Sequence, residues 1–400
     1  MSITAATPDA HADLQTDAFA AARAREYAWM SEPGAATYLD HASTGAIPAS
    51  AAAALERYAR LRHRPQELRA EHFFPVLTRS RELVATLIGA TPSEIALATN
   101  TTHGINLAAF ALPLGAGDVI LMPDGEFPAN VFPWLVRARR VGATVVRLPL
   151  VDGVPDEAAL LEAIATHPRV RGVAVSWVSF WSGARLDLAA IGTACRARGA
   201  WFAVDAIQGL GAVPLDVRAA HVDVLACGAQ KWLQSPWGTA FAYVRRELVT
   251  QLEPPVVGWM ATVGSEDLSS MCHYTDAWFD DARRFEQITL PMHDFAAMNE
   301  SLALFQALGP ARVGRHLGAL GDQVVAWADA HPAVRLVTPR DRGRRAGVFA
   351  FVPPDVAARS DRLRAAGVVH SVREGCIRLS PHWYTTPAEL AHALTLLADG

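Results

Sequence analysis

The 400-residue chain is predicted to be an α/β protein: a large domain built on a mainly parallel sheet covered by helices on both faces, then a smaller C-terminal α+β domain. Three observations predict this. Short, continuously apolar runs recur between residues 94 and 226 and alternate with segments of helical periodicity, which is how strands buried on both faces read. The alternation stops after Pro254-Pro255, where a loop-rich stretch over 258–281 begins. An apolar content of 51% with only 19% charged residues supplies material for a large core.

The elements follow in order. Segments 13–30 and 49–63 read as helices, Ala-rich with charges on one side, the second opened by Pro48. Strands are expected at 94–99, 118–122, 144–150, 172–178, 201–204 and 222–226, and helices at 105–111, 130–140, 157–166 and 189–198. Beyond the loop-rich stretch come helices near 294–307 and 310–330, then strands near 335–338, 347–352 and 376–380. The expected organisation is an N-terminal segment (1–45) packing on the small domain, a large domain (46–265), a loop-rich connection (266–293) and the small domain (294–400).

A formal net charge of −4 and scattered arginines argue against a nucleic-acid partner. Cys195, Cys227, Cys272 and Cys376 lie far apart, with neither a CxxC pair nor metal-ligand spacing, so neither disulfides nor a metal site is expected. The first thirty residues lack the apolar centre of a signal peptide, and no apolar run reaches membrane-spanning length. These features point to a cytoplasmic protein that acts on small molecules.

One residue type is nearly absent. Of 36 Lys and Arg residues only Lys231 is lysine. A guanidinium stays protonated, whereas an ε-amine can lose its proton, attack a carbonyl and hold an aldehyde as a Schiff base. Ligands of such sheets sit at the carboxyl ends of strands. Asp205 closes the strand at 201–204, where a poorly hydrated carboxylate needs a cationic partner; Gln208 follows three residues later. Lys231 follows the next strand in Cys-Gly-Ala-Gln-Lys-Trp. An acid for a pyridinium nitrogen, a donor for a phenolate oxygen and an amine for the aldehyde carbon are what pyridoxal 5′-phosphate (PLP) chemistry requires.

The motifs around these residues resemble the class V aminotransferase family of PLP enzymes, whose members include cysteine desulfurases, kynureninases and isopenicillin N epimerases. The resemblance covers 38–48 and 95–290 and is carried by YLDHASTGAIP (38–48), TNTTHGIN (99–106), EFPANVFPW (126–134), FAVDAIQGLGAVPLDV (202–217) and CGAQKWLQSPWGTAF (227–241). It implies PLP fold type I: a mixed, mainly parallel seven-stranded sheet sandwiched by helices, plus the small domain. By resemblance, Thr101, Thr102, His103 and Gln230 join Asp205 and Gln208 around the cofactor, with Phe127 stacking on its ring. RRFEQIT (283–289) resembles the segment whose threonine reaches the neighbouring subunit's phosphate, which implies a homodimer with shared sites and gives Thr289 to the cofactor; Ile288 stands where glycine is common. IRLSPHWYTT (377–386) resembles the segment whose arginine binds the substrate carboxylate, which implies Arg378 for an amino acid substrate, with Ser43 of the N-terminal turn beside it.

The reaction expected is transamination or C–S or C–C bond cleavage at Cα or Cβ of an amino acid, with Lys231 as general base; epimerisation and a non-catalytic PLP-fold subunit are the alternatives. A cysteine desulfurase is disfavoured, because SVREGCIRLSP (371–381) runs straight through where those enzymes carry a loop with a nucleophilic cysteine. Trp177, Phe180, Trp181, Trp232 and Trp259 suggest an aromatic-rich pocket and hence an apolar or aromatic substrate.

Overall fold

A computed structural model describes residues 17–398. The start of the helix expected at 13–30 lies outside the described residues; from Asp17 it runs as α1 (Asp17–Glu26). The large sheet has seven strands: β1 (Ile95–Ala98), β2 (Val119–Pro123), β3 (Thr144–Leu148), β4 (Val170–Ser176), β5 (Trp201–Asp205), β6 (Val224–Gly228) and β7 (Ala240–Val244). Their spatial order is β1-β7-β6-β5-β4-β2-β3. Only β7 runs against its neighbours, pairing antiparallel with both β1 and β6. Of these seven strands it is the one that apolar periodicity did not mark, because its run lies only twelve residues after β6 with no helix between them.

Helices α2 (Ala49–His63), α3 (Phe74–Ile88), α4 (Thr101–Ala111), α5 (Phe132–Val141), α6 (Glu157–Thr166) and α7 (Leu188–Arg198) precede or connect the strands. Two apolar clusters flank the sheet, as a sheet covered on both faces demands. One holds Leu97, Leu121, Val175 and Leu225, the other Ala96, Ile120, Ala174 and Ala226, so successive residues of each strand face opposite layers. The second layer is alanine-rich where α4 packs: a methyl added at Gly104 of α4 would lie 2.6 Å from the Ala226 methyl of β6. Close packing there fixes the N-terminus of α4 against the end of β6.

Helices α8 (Met292–Leu308) and α9 (Pro310–Ala330) lead to an antiparallel four-stranded sheet of β8 (Arg335–Leu336), β9 (Phe349–Val352), β10 (Ser371–Arg373) and β11 (Cys376–Leu379), in the order β8-β9-β11-β10. Helices α10 (Val356–Ala365) and α11 (Pro387–Ala398) complete this part. The N-terminal segment is tied to it: Thr37–Tyr38 pairs in parallel with Val368–Val369, Asp40 bridges Ser380, and Arg23 pairs with Glu389. Chain 39–45 therefore passes over the carboxyl end of the large sheet with its position set by the small domain. Among the described residues, no helix is long and apolar enough to cross a membrane.

Candidate active site

Strands β5 and β6 lie side by side in register, Asp205 opposite Ala226, so the loops leaving their carboxyl ends emerge together. Asp205 is the last residue of β5, 3% exposed, and among the described residues its carboxylate takes one hydrogen bond, from the Ile207 N–H at 3.0 Å. Burial pushes its pKa up to about 6, with that hydrogen bond and the Lys231 charge opposing. A carboxyl held this way lacks a strong cationic partner, and a protonated ring nitrogen bound in the adjoining cavity would supply one.

The turn after β6 aims the lysine. The Lys231 carbonyl accepts from the Gln234 N–H at 3.0 Å, Gln234 adopts φ +52°, and its buried side chain bonds Tyr27 and Trp383. The left-handed residue closes the turn, and its tertiary contacts hold it there. From the other side Gly45 donates to the Gln230 carbonyl at 2.8 Å, and a methyl at Gly45 would lie 2.0 Å from the Lys231 carbonyl oxygen. Burial brings the Lys231 amine down from 10.5 to about 8; Asp205 works against this, and Arg378 and Arg373 add to it.

Gln208 is locked at both ends. Its Oε1 accepts from Trp232 Nε1 at 2.8 Å and its Nε2 donates to the Ala42 carbonyl at 2.9 Å, leaving the second N–H of the amide for the cavity. Trp232 is fully buried, so the amide's orientation is set from the core.

Thr101 and Thr102 open α4, where helical N–H groups have no partner within the helix and the dipole favours an anion. Asn100 caps the helix through the His103 N–H at 2.9 Å, and the Thr101 hydroxyl accepts from the Gly228 N–H at 2.9 Å. Phe127 stands opposite, its ring centroid 5.8 Å from Lys231 Nζ and 5.3 Å from that of Phe180, edge to face. The flanking Glu126, raised to about 7 first by burial, is held by the Ser176 N–H and hydroxyl and by Asn130.

Arg378 of β11 is 2% exposed. Its Nε donates to Ser371, one terminal nitrogen to the Phe180 carbonyl, and the other to Ser43 Oγ at 2.7 Å and Asp40 at 3.3 Å. Ser43 in turn donates to Asp40 at 2.9 Å. Ser43 thus orients the guanidinium.

These groups share one cavity of about 310 Å³, lined by Ser43, Thr101, Thr102, Phe127, Asp205, Gln208, Gln230, Lys231 and Arg378 among others. His103, assigned to the cofactor by resemblance, does not line it, and Thr289, expected at the neighbouring subunit's phosphate, lies outside its own chain's cavity. The His103 ring is turned to the Phe285 carbonyl. Thr289 is exposed on a separate cleft, its hydroxyl accepting from Trp259 at 2.9 Å. Of the five aromatic residues expected around the substrate, only Phe180 lines the cavity. Trp177 and Trp232 are core, Trp181 lines a neighbouring pocket and Trp259 lies beside Thr289, so the aromatic-rich pocket expected from sequence is not formed. Asn100 and Arg373 line the cavity and were not singled out from sequence; periodicity gives no signal for either.

The cavity suits a phosphorylated pyridine aldehyde: an amine for the aldehyde, a buried carboxyl for the ring nitrogen, an oriented amide donor, an aromatic face and a helix N-terminus for the phosphate. Fold and site together define a fold type I PLP enzyme. The class V aminotransferase model matches residues 37–379, and the chain belongs to that family; its cofactor is PLP. It is 30% identical to an isopenicillin N epimerase of Streptomyces clavuligerus over 90% of this chain and 94% of that one. It is 29% identical to an uncharacterized aminotransferase, YcbU, of Bacillus subtilis over 80% and 82%. Among solved structures, a lysine-to-alanine mutant of C-DES with glycine covalently linked to its PLP cofactor aligns with a TM-score of 0.83 at 23% identity, covering 98% of this chain and 100% of that one. A cysteine desulfurase of Thermococcus onnurineus aligns at 0.80 and 24%, covering 91% and 94%.

Proposed function

We propose that the chain is a PLP-dependent enzyme that acts at Cα or Cβ of an amino acid by transamination or by cleaving a C–S or C–C bond, with Lys231 as the residue that carries the cofactor. The observation that carries this reading is the single cavity in which the chain's only lysine meets buried Asp205 and Arg378. PLP supplies an aldehyde carbon that condenses with an amine and a ring that accepts the electron pair left at Cα. Asp205 keeps the ring nitrogen protonated by pairing with it. Gln208 donates to the phenolate oxygen, Phe127 covers a ring face, and Thr101 and Thr102 hold the phosphate with the first turn of α4. Arg378 fixes the α-carboxylate, and Lys231, with its lowered pKa, moves the Cα proton near neutral pH.

A cysteine desulfurase is disfavoured, because among the described residues no cysteine lines the cavity. Cys376 is 2% exposed on β11, and burial raises its thiol above the ordinary range, so it lacks the accessible thiolate a sulfur acceptor needs. The 30% identity to an isopenicillin N epimerase favours epimerisation as the second reading. Borohydride treatment of the PLP form followed by peptide mapping tests the assignment. Label on Lys231 is expected, with no label and a loss of turnover of at least about 10³-fold in Lys231→Ala; full turnover in that variant rejects it.

A further inference from the structure

The cavity holds a second guanidinium. β10 pairs antiparallel with β11, Ser371 opposite Arg378 and Arg373 opposite Cys376. Because side chains alternate along a strand, Ser371 and Arg373 share a face, and it is the face that Arg378 uses, since Ser371 Oγ bonds Arg378 Nε at 3.0 Å. Arg373 and Arg378 are therefore diagonal neighbours lining one cavity.

Their states differ. Four of the five N–H groups of Arg378 are committed to Ser371, Phe180, Asp40 and Ser43, which leaves a single donor for a ligand. Arg373 is exposed at the mouth, and among the described residues its one hydrogen bond goes to the carbonyl of its neighbour Val372, at 2.8 Å, and it forms no ion pair. A free, planar fork beside a half-closed site is built for a carboxylate. The phosphate end is served elsewhere, by the start of α4 beside Gln230, whereas Arg373 stands with Arg378 on the small-domain wall.

We infer that Arg373 receives a second anionic group of the substrate, so that the enzyme prefers acidic amino acids: Arg378 takes the α-carboxylate and Arg373 the distal one, with Phe180 beside the methylenes between them. This rests on the function proposed above and replaces the apolar or aromatic substrate expected from sequence. The test titrates the PLP-loaded protein with L-aspartate, L-glutamate and L-2-aminoadipate against L-asparagine, L-glutamine, L-norleucine and the basic L-ornithine, reading the cofactor's absorbance change and product formation. The wild type is expected to favour the acid over its neutral match by about tenfold to a hundredfold. Arg373→Gln is expected to lose that ratio and Arg373→Glu to turn it toward L-ornithine, both at an unchanged melting temperature. A ratio equal in wild type and Arg373→Gln, including an equal loss for acidic and neutral ligands, overturns the inference. Failure of the underlying reading is distinguishable, because the cofactor band would then be missing before any ligand is added.

Discussion

Lys231 shows how the fold changes the chemistry of a residue that a solvated surface would leave inert. Condensation with an aldehyde needs the neutral amine, and an ordinary lysine presents little of it below about pH 10. Here burial brings the amine from 10.5 down to about 8. In the cofactor-free protein, the rate of PLP uptake should therefore rise about tenfold per pH unit and level off above about pH 8. Stopped-flow absorbance checks this, and a rate still climbing at about pH 10 would show an unshifted lysine. Because the Asp205 charge opposes the shift, Asp205→Asn should move the bend to lower pH. Trp232 and Ser43 act through their neighbours: one fixes which end of the Gln208 amide faces the cavity, the other holds Arg378 in line.

Elements carry these residues into register, and the turn at 40–45 shows how little room they leave. It lies against the lysine loop so closely that a methyl at Gly45 would overlap the Lys231 carbonyl. Gly45→Ala should push the turn away, costing about 1–3 kcal/mol, and should loosen Ser43 and Asp40 from Arg378. The expected readout is a lower melting temperature together with weaker cofactor retention on dialysis; an unchanged protein would mean the turn is free to move. Much of this was legible in the sequence, because strand ends declare themselves: apolar runs terminating in Asp205 and just before Lys231 locate the carboxyl edge of the sheet. The rest was not. β7 is antiparallel and follows β6 without a helix, so the β-α rhythm did not mark it. Arg373 was one arginine among many until pairing of β10 with β11 placed it beside Arg378. The tryptophans misled, since composition cannot tell a core indole from one facing a cavity.

At the scale of the whole molecule, the segment from 237 to 288 carries several exposed large apolar side chains: Trp237 is 71% exposed, Tyr274 91%, Leu268 65%, with Val256, Val257 and Ile288 also uncovered. The same stretch runs up to Thr289, held by Trp259 outside its own chain's cavity. We propose that two copies meet over this face and that Thr289 of each completes the other's phosphate site. Light scattering should give twice the 43.0 kDa chain mass. Complementation separates a shared site from mere association. Lys231→Ala has no lysine to offer, and Thr289→Ala should bind PLP poorly. In a mixed dimer, one site combines the intact Lys231 of one chain with the intact Thr289 of the other. After denaturing and refolding an equal mixture, half the dimers should be mixed, each with one sound site, so about a quarter of wild-type activity should return. If Thr289 served its own chain, every site in the mixture would carry one defect, and activity would stay at the average of the two parents.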